Sequence, residues 1–165
     1  MTDHSTLNYQ LLATPIGTLR LLSNGEQLLR IEFGEAGALP PGTRRANDPV
    51  LQRGSEQLDE YFTGHRKQFD LPLAPRGTAF QQAVWQALTA IPWGQWRSYG
   101  ALAAAIGQPR SARAVGAANR RNPLPIVVPC HRVVGSDGSL TGFAGGLEVK
   151  RYLLELEGSL PQLQN

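Results

Sequence analysis

Cysteine is almost absent from this sequence, since the 165 residues contain only Cys130. A lone cysteine excludes an internal disulfide framework and any cysteine-rich zinc cage. Apolar runs are also short, and none approaches the ~20 residues that span a bilayer. The first five residues are polar and lack the basic and apolar regions of a secretion signal. With a hydrophobic content of 41%, these absences predict a folded, cytoplasmic protein that has no membrane partner.

Acidic residues are missing from a long central stretch. Residues 1–75 carry 7 basic and 9 acidic side chains, whereas residues 76–165 carry 9 basic and 4 acidic ones. Between Arg76 and Ser136 there are seven arginines and no aspartate or glutamate. Such a block is a candidate contact surface for a polyanion, although a basic surface can also serve solubility alone.

The first half has the pattern of a small sheet followed by a helix. Strand-like runs over residues 8–33 are separated by turn-forming residues, which predicts a β-meander. Residues 34–48 are rich in glycine, proline and alanine and are predicted to form a loop. Asp48 and Pro49 fit an N-cap followed by proline at the first helical position, and this helix is expected to end near Gly64.

A domain boundary is expected near residue 75. Residues 68–73 are predicted to add one more strand, and residues 74–77 have the composition of a linker at the point where the charge changes sign. The sequence therefore predicts an α+β fold of two domains. Residues 1–75 would form a small β-sheet with a helix, and residues 76–165 a mostly helical domain.

The second half contains the pattern of a helix–turn–helix. Thr78 is expected to cap a first helix, and Ser98 and Ser111 to cap two shorter ones. The last of these helices is predicted from Ala112 to about Arg120, after a four-residue turn that contains glycine. This spacing is used to place a helix against DNA, and it predicts a winged helix–turn–helix-like motif.

The second helix of this motif has the composition of a DNA-contacting surface. Arg113 lies within it, and Arg120 stands at its end. Its small residues would let the backbone approach a groove closely: Ala112, Ala114, Gly116, Ala117 and Ala118. An alanine-rich helix pair is also a common packed core, so the motif alone leaves both interpretations open.

The single cysteine stands between a proline and a histidine. A free cysteine is usually a small buried hydrophobe. Here Pro129 is expected to hold the backbone of Cys130 extended, while His131 and Arg132 would favour the thiolate, which is the nucleophilic form. Neighbouring side chains diverge, so a water is expected to bridge Cys130 and His131. An acid should orient the histidine, and four are available: Asp137, Glu148, Glu155 and Glu157.

The segments around the cysteine complete the outline of this half. Residues 124–134 are apolar and interrupted by prolines, which predicts a packed extended segment and not a regular strand. Residues 142–146 are predicted to form a flexible glycine-rich loop, and residues 148–157 a last helix.

Residues 127–134, Val-Val-Pro-Cys-His-Arg-Val-Val, closely resemble the acceptor-cysteine signature of the O6-alkylguanine-DNA alkyltransferases. Further similarities extend the resemblance over about residues 78–158. They lie at Ser98-Tyr99, Arg113-Ala114-Val115-Gly116, Asn122-Pro123, and Gly145-Gly146-Leu147 followed by Lys150.

The resemblance implies a DNA repair protein that reacts once and is inactivated by its own reaction. Its partner would be double-stranded DNA containing O6-alkylguanine, bound through the minor groove by a monomer. The base would be flipped out of the duplex, and its alkyl group would pass irreversibly to Cys130 without a cofactor. Activity on O4-alkylthymine, the preferred alkyl size and cooperative binding along DNA stay open.

The resemblance also implies a role for each catalytic residue. Cys130 would attack the alkyl carbon, and His131 would take the thiol proton through a water. Glu157 would orient His131, and Tyr99 would donate a hydrogen bond to N3 of the guanine. Asn122 would brace the junction between the recognition helix and the cysteine segment.

DNA contacts and a base pocket are implied in the same way. Arg113 would fill the stack that the flipped base leaves, and Arg120 would contact phosphate, with Tyr99 also at the DNA. Lys150 is expected to be structural or solvent-facing more than catalytic. Besides Tyr99, the pocket would be lined by Pro125, Val133, Phe143, Ala144 and Lys150.

Two departures from relatives matter. Phe143 stands where many relatives carry tyrosine, so that hydroxyl has no role here. The N-terminal zinc site of some relatives requires cysteine ligands, which residues 1–75 lack, and no metal is expected.

Three other functions compete with alkyl transfer. A non-reactive alkylguanine-binding protein would replace the acceptor cysteine, and Cys130 argues against it. A helix–turn–helix regulator would normally read the major groove as a dimer and would leave the cysteine, histidine and tyrosine unexplained. A cysteine hydrolase would require turnover and an acyl-binding pocket.

Overall fold

The computed structural model describes residues 6–161, and the chain divides between Arg76 and Gly77 into two units. Each unit is described by itself. Among residues 6–161, no helix is both long and apolar enough to cross a membrane.

The N-terminal unit contains the predicted meander. Strands β1 (Asn8–Thr14), β2 (Gly17–Ser23) and β3 (Leu28–Phe33) pair antiparallel in sequence order. A two-residue strand β4 (Arg44–Arg45) adds to the free edge of β1 in parallel, giving the order β3-β2-β1-β4. The prediction of a loop over residues 34–48 was therefore wrong at β4.

Helix α1 (Pro49–Phe62) begins where the sequence predicts. Oδ1 of Asp48 accepts a hydrogen bond from the Leu51 N–H at 2.8 Å, which satisfies an otherwise unpaired donor of the first turn. Its other oxygen accepts from Asn8 Nδ2 at 2.9 Å and from Ser23 Oγ at 2.6 Å. One carboxylate thus joins the start of α1 to β1 and β2.

The strand predicted over residues 68–73 does not form. Leu73 makes one isolated parallel bridge to Leu28. The backbone of Asp70 is instead paired with a side chain of α1, since its N–H donates to Gln57 Oε1 at 2.9 Å and its carbonyl accepts from Gln57 Nε2 at 3.0 Å. A buried glutamine amide takes the place of a neighbouring strand.

The C-terminal unit is mostly helical, as predicted. A short parallel sheet joins strand β5 (Arg97–Ser98) to strand β6 (Val133–Val134). The helices are α2 (Ala79–Thr89), α3 (Tyr99–Ala105), α4 (Ala112–Arg120) and α5 (Leu147–Leu156).

Two of the three predicted serine and threonine caps are present in this unit. Thr78 forms a reciprocal capping box with Gln81, and Ser98 Oγ accepts from the Ala101 N–H at 3.0 Å. Ser111 was wrongly predicted as a side-chain cap. Its hydroxyl donates to Gln108 Oε1 at 3.3 Å and makes no capping bond to α4.

A buried tryptophan fixes the position of α4. Trp85 in α2 donates from Nε1 to the Ala118 carbonyl at 2.9 Å. Around this bond, α2, α3 and α4 bury apolar residues that include Val84, Leu88, Leu102 and Val115. The helix–turn–helix formed by α3 and α4 is therefore held against α2, and one side of α4 is left exposed.

Candidate active site and DNA-facing helix

The cysteine lies in a tight turn between α4 and β6. Pro129, with φ −81° and ψ 68°, forms an inverse γ-turn in which the Cys130 N–H donates to the Val128 carbonyl at 2.8 Å. Residues Cys130–Arg132 then form one turn of 3-10 helix. The prediction that Pro129 keeps Cys130 extended was wrong, because Cys130 begins the 3-10 turn. The prediction of an extended segment over residues 124–134 was wrong for the same reason, since the segment contains both the γ-turn at Pro129 and this 3-10 turn.

His131, Arg132 and Glu157 form a buried charged cluster. The Nε2 of His131 lies 2.8 Å from Glu157 Oε2, and both side chains are fully buried. Arg132 clamps the same carboxylate, with Nε 2.8 Å from Oε1 and Nη2 2.9 Å from Oε2. Nη1 of Arg132 also donates to the Ile91 carbonyl at 2.6 Å. Of the four candidate acids, the structure brings Glu157 to the histidine.

The cluster fixes the ionisation of its members. Burial alone would raise the pKa of Glu157, but hydrogen bonds and positive charge from His131 and Arg132 outweigh it and lower that pKa to about 2. Burial lowers the pKa of His131, and Glu157 opposes this only in part. At neutral pH the pair is a carboxylate and a neutral imidazole that donates from Nε2. The buried Nδ1 then carries the lone pair and has no hydrogen-bond partner among residues 6–161.

The thiol itself is held in its neutral form. Cys130 is free and only 4% exposed, and burial raises the pKa of its thiol to about 11. The Asn122 side chain and the Lys150 charge lower this pKa, but less than burial raises it. The expectation that His131 and Arg132 favour the thiolate was therefore wrong for the free protein, because the Arg132 guanidinium is bound to Glu157.

Two asparagines join α4 to the cysteine segment. Asn122 donates from Nδ2 to the Val128 carbonyl at 2.8 Å and accepts from the Leu124 N–H at 3.0 Å. Asn119, which sequence reasoning missed, donates to the Cys130 carbonyl at 3.2 Å. Both are buried although asparagine is usually exposed. The signal that could have found Asn119 is its place on the same side of α4 as Val115.

Tyr99 and Lys150 meet on one backbone carbonyl. The Tyr99 hydroxyl donates to the Thr141 carbonyl at 3.1 Å, and Lys150 Nζ donates to the same oxygen at 2.8 Å. Lys150 is fully buried, lies 5.8 Å from the centre of the Tyr99 ring, and has a pKa lowered by burial to about 8. Of the two expectations for Lys150, structural or solvent-facing, the structure therefore agrees with the structural one.

The exposed side of α4 carries the predicted DNA-facing residues, with the exceptions of Gly116 and Ala118, which are buried. Arg113, Ala114, Ala117 and Arg120 are exposed, and Ala112 is half-buried. A Cβ added at Gly116 would lie 3.8 Å from the Tyr99 ring, which is an ordinary van der Waals contact. Gly116 and Ala118 thus face the interior of the unit and do not belong to the exposed surface.

The remaining predicted pocket residues lie on the two segments that flank the cysteine. Pro125 and Val133 are buried. Phe143 is half-buried and Ala144 exposed, in the loop whose Thr141 carbonyl is held by Lys150. Within residues 6–161, no group of three or more histidine, cysteine, aspartate or glutamate side chains is placed to hold a metal ion.

The fold and this site define a class of protein: a helix–turn–helix unit that keeps one thiol beside a buried histidine–carboxylate pair. Known families match both units. Residues 7–75 match the 6-O-methylguanine DNA methyltransferase, ribonuclease-like domain, and residues 79–159 match the 6-O-methylguanine DNA methyltransferase, DNA binding domain. The chain belongs to the 6-O-methylguanine DNA methyltransferase family.

Individual relatives agree with this membership. The methylated-DNA–protein-cysteine methyltransferase of Methanosarcina acetivorans is 47% identical over 92% of this chain and 98% of its own. That of Mycobacterium bovis is 48% identical over 93% of both chains. A crystal structure of Mycobacterium tuberculosis OGT in complex with DNA matches with a TM-score of 0.86 and 45% identity, covering 92% of this chain and 93% of that one.

Proposed function

We propose that this protein repairs O6-alkylguanine in double-stranded DNA by transferring the alkyl group irreversibly to Cys130. It acts once per molecule, as a methylated-DNA–protein-cysteine S-methyltransferase, and needs no cofactor. The observation that carries the proposal is the buried His131–Glu157 pair, 2.8 Å between Nε2 and Oε2, next to the only cysteine. Family membership and the names of the relatives support the same activity.

Proton removal begins at the neutral imidazole. Because Nε2 donates to Glu157, the Nδ1 lone pair of His131 is available to accept the thiol proton through a bridging water. Glu157 stays ionised and stabilises the imidazolium that forms. Burial raises the pKa of the thiol to about 11, so little thiolate is present in the free protein, and removal of the proton would accompany attack on the alkyl carbon in the assembled complex.

Alkyl transfer is an in-line displacement on carbon. The Cys130 sulfur forms a bond to the alkyl carbon while the bond from that carbon to O6 breaks, and the base leaves with the electron pair as the guanine anion. This anion takes up one proton from water to become guanine, and His131 returns the thiol proton to water, so that charge balances. Tyr99 would donate a hydrogen bond from its hydroxyl to N3 and so stabilise the departing base. In the structure that hydroxyl donates to the Thr141 carbonyl, so binding of the base exchanges one acceptor for another.

Base flipping would use the exposed side of α4 in the minor groove. Arg113 would occupy the stack that the flipped base leaves, since a planar guanidinium stacks where a lysine would not. Ala114 and Ala117 beside it would allow close approach, and Arg120 would contact phosphate. The solved DNA complex of the Mycobacterium tuberculosis relative supports DNA as the partner.

The flipped base would be received between the cysteine turn and the loop before α5. The carbonyls of Cys130 and Val133 would accept from the guanine amino group, and the Ala144 N–H would donate to O6. Pro125, Phe143 and Lys150 would complete the pocket. Asn122 would hold the turn in place through its bond to Val128. Residues 76–165 would then supply both DNA binding and the acceptor, with residues 1–75 as a separate domain of a monomer.

Mass spectrometry tests the proposal directly. The protein is incubated with duplex DNA that contains one O6-methylguanine, and its intact mass and peptide map are measured. We expect a gain of one methyl group on Cys130, one event per molecule, and restored guanine in the DNA. Cys130→Ser should abolish transfer and still bind DNA. Repeated turnover would indicate a hydrolase instead, and binding without transfer would indicate a non-reactive alkylguanine-binding protein.

A further inference from the structure

Asn119 is a buried polar residue that stability alone does not explain. It lies on the inner side of α4 with only 2% of its surface exposed. Its Oδ1 is buried and has no hydrogen-bond partner among residues 6–161. An unpaired buried acceptor lowers the free energy of unfolding, so an apolar side chain of similar size would stabilise this position better. The asparagine therefore calls for a functional explanation.

The nitrogen of the same amide makes the one bond that accounts for it. Asn119 Nδ2 donates to the Cys130 carbonyl at 3.2 Å, and this hydrogen bond is buried. Because the nitrogen faces the carbonyl, the amide oxygen points elsewhere and stays unpaired. The unfavourable burial of Oδ1 thus accompanies a bond that holds the backbone of the acceptor residue.

This bond links the direction of the Cys130 carbonyl to α4. Backbone bonds hold the peptide before it, since the Cys130 N–H donates to Val128 at 2.8 Å and the Pro129 carbonyl accepts from the Arg132 N–H at 3.0 Å. The next peptide, which carries the Cys130 carbonyl, is held by the Asn119 amide. Asn119 itself stands on a fixed part of α4, because the carbonyl of the residue before it accepts from Trp85 Nε1 at 2.9 Å.

We propose that Asn119 is a positioning residue that directs the Cys130 carbonyl at the exocyclic amino group of guanine, so that the protein prefers alkylated guanine to alkylated bases without this group. A carbonyl oxygen has two lone pairs and can accept from Asn119 and from the base at once. A base that lacks the amino group leaves this fixed acceptor unpaired, which disfavours it. The preference rests on the proposed function, whereas the hold on the carbonyl in the free protein does not.

Two substrates isolate the amino group. O6-methylguanine and O6-methylhypoxanthine carry the same methyl group on the same ring system, but only the first has the exocyclic amino group. Each is placed in the same duplex, and single-turnover transfer to Cys130 is timed with the DNA in excess. The readout is the ratio of the two rate constants, which does not depend on the fraction of folded protein. Equal rate constants in the wild type would overturn the inference.

Asn119→Leu should remove most of the preference for guanine. We expect the rate with O6-methylguanine to fall about fivefold to tenfold and the rate with O6-methylhypoxanthine to change by less than about twofold. Asn119→Ala removes the donor without adding bulk and should lower the ratio in the same way. An unchanged ratio in these variants would overturn the inference.

Trp85→Phe is the matched control. It removes a buried hydrogen bond to the residue of α4 that precedes Asn119 and leaves the Asn119 amide in place. Any loosening of α4 should slow both substrates alike, so the ratio should stay at the wild-type value. A fall in the ratio equal to that in Asn119→Leu would show that α4 packing, and not the Asn119 bond, sets the preference.

The Cys130 carbonyl can also be observed in the free protein. Cys130–His131 is the only cysteine–histidine junction in the sequence, so labelling with carbonyl carbon-13 cysteine and nitrogen-15 histidine gives one NMR correlation. Asn119→Leu should move the carbonyl resonance to lower frequency, because loss of a hydrogen bond shields this carbon, and Trp85→Phe should leave it in place. An unmoved resonance would overturn the inference. If the wild type transferred no methyl group from either duplex, the proposed function would fail, and the resonance would still decide whether Asn119 holds the carbonyl.

Discussion

His131 and Glu157 are joined by a 2.8 Å contact between Nε2 and Oε2 in which neither side chain reaches solvent. Arg132 binds both oxygens of the same carboxylate, so one glutamate positions both residues that follow the cysteine. This arrangement leaves the histidine neutral, with its free lone pair on Nδ1. It leads to predictions for the rate of methyl transfer, for the pH dependence of stability and for the reactivity of the thiol.

Glu157→Gln should impair both chemistry and folding. The substitution removes the charge that stabilises the imidazolium and leaves the buried Arg132 guanidinium without its counter-ion. We expect single-turnover methyl transfer to slow at least about a hundredfold and the free energy of unfolding to fall by about 3 kcal/mol. Glu155→Gln is the matched control, because Glu155 lies on the same helix with its side chain 53% exposed. Similar losses in both variants would contradict the role of Glu157.

Acid should destabilise the C-terminal unit in two steps. The pKa of His131 lies below its ordinary 6.5 in the folded protein, so the unfolded chain takes up the proton first and stability is lost as pH falls below 6.5. Glu157 adds a second loss as pH falls from 4.5 towards about 2. Urea unfolding at a series of pH values measures both, by the fluorescence of the three tryptophans, which all lie in this unit.

Two histidine variants separate the first acid step from other titrations. His131→Asn should flatten the stability profile below pH 6.5, down to the pH of 4.5 at which the Glu157 loss begins, because the buried neutral ring of His131 causes the first loss. His65→Gln changes an exposed histidine of the other unit and should leave the loss of stability below pH 6.5 unchanged. If His131→Asn still lost stability in this pH range, another group would have to cause the loss.

Arg113→Ala should slow repair of duplex DNA and leave the chemical step intact. We expect a loss of at least about tenfold on O6-methylguanine in a duplex, because unstacking a base costs a few kcal/mol that the guanidinium would offset. The rate on the free base O6-methylguanine should not change. Arg110→Ala is the control, since Arg110 is also exposed but lies in the turn before α4. Equal slowing on both substrates would count against a role in flipping.

Lys150→Met should make the thiol harder to ionise. The buried ammonium lowers the pKa of Cys130, and it also holds the Thr141 carbonyl at 2.8 Å. Because the pKa of Lys150 is about 8, its charge is present at neutral pH, and we expect the rate of Cys130 alkylation by iodoacetamide at pH 7 to fall about threefold to tenfold in Lys150→Met. Arg151→Met, next in sequence but with its side chain 60% exposed, should leave this rate unchanged. An unchanged rate in Lys150→Met would mean that its charge does not reach the sulfur.

The features that could be predicted from the sequence are those that depend on residues close together in the chain. The meander, Asp48 as a cap and the helix–turn–helix follow from turn and capping chemistry within a few positions. The strand predicted over residues 68–73 fails because a glutamine from α1 takes over its backbone bonds, and no local pattern reveals that partner. The choice of Glu157 among four acids depends in the same way on how α5 packs against the cysteine turn.

Ionisation at the site is the least predictable from sequence. An arginine next to a cysteine is expected to lower the pKa of the thiol. The direction of the Arg132 side chain, however, depends on the Glu157 carboxylate, which is 25 residues away in the chain. Lys150 shows the reverse case, since the sequence left open whether this lysine is structural or solvent-facing, whereas in the structure it is fully buried and its charge lowers the pKa of the thiol.

The acid-free stretch from Arg76 to Ser136 distributes its charge in two ways. Arg113 and Arg120 lie on the exposed side of α4, whereas Arg132 is buried against Glu157. Ionic strength should therefore act on the first pair and not on the second, because mobile ions screen exposed charges and compete for phosphate. Added salt would weaken association with duplex DNA steeply, yet leave the reaction with the free base at the same rate.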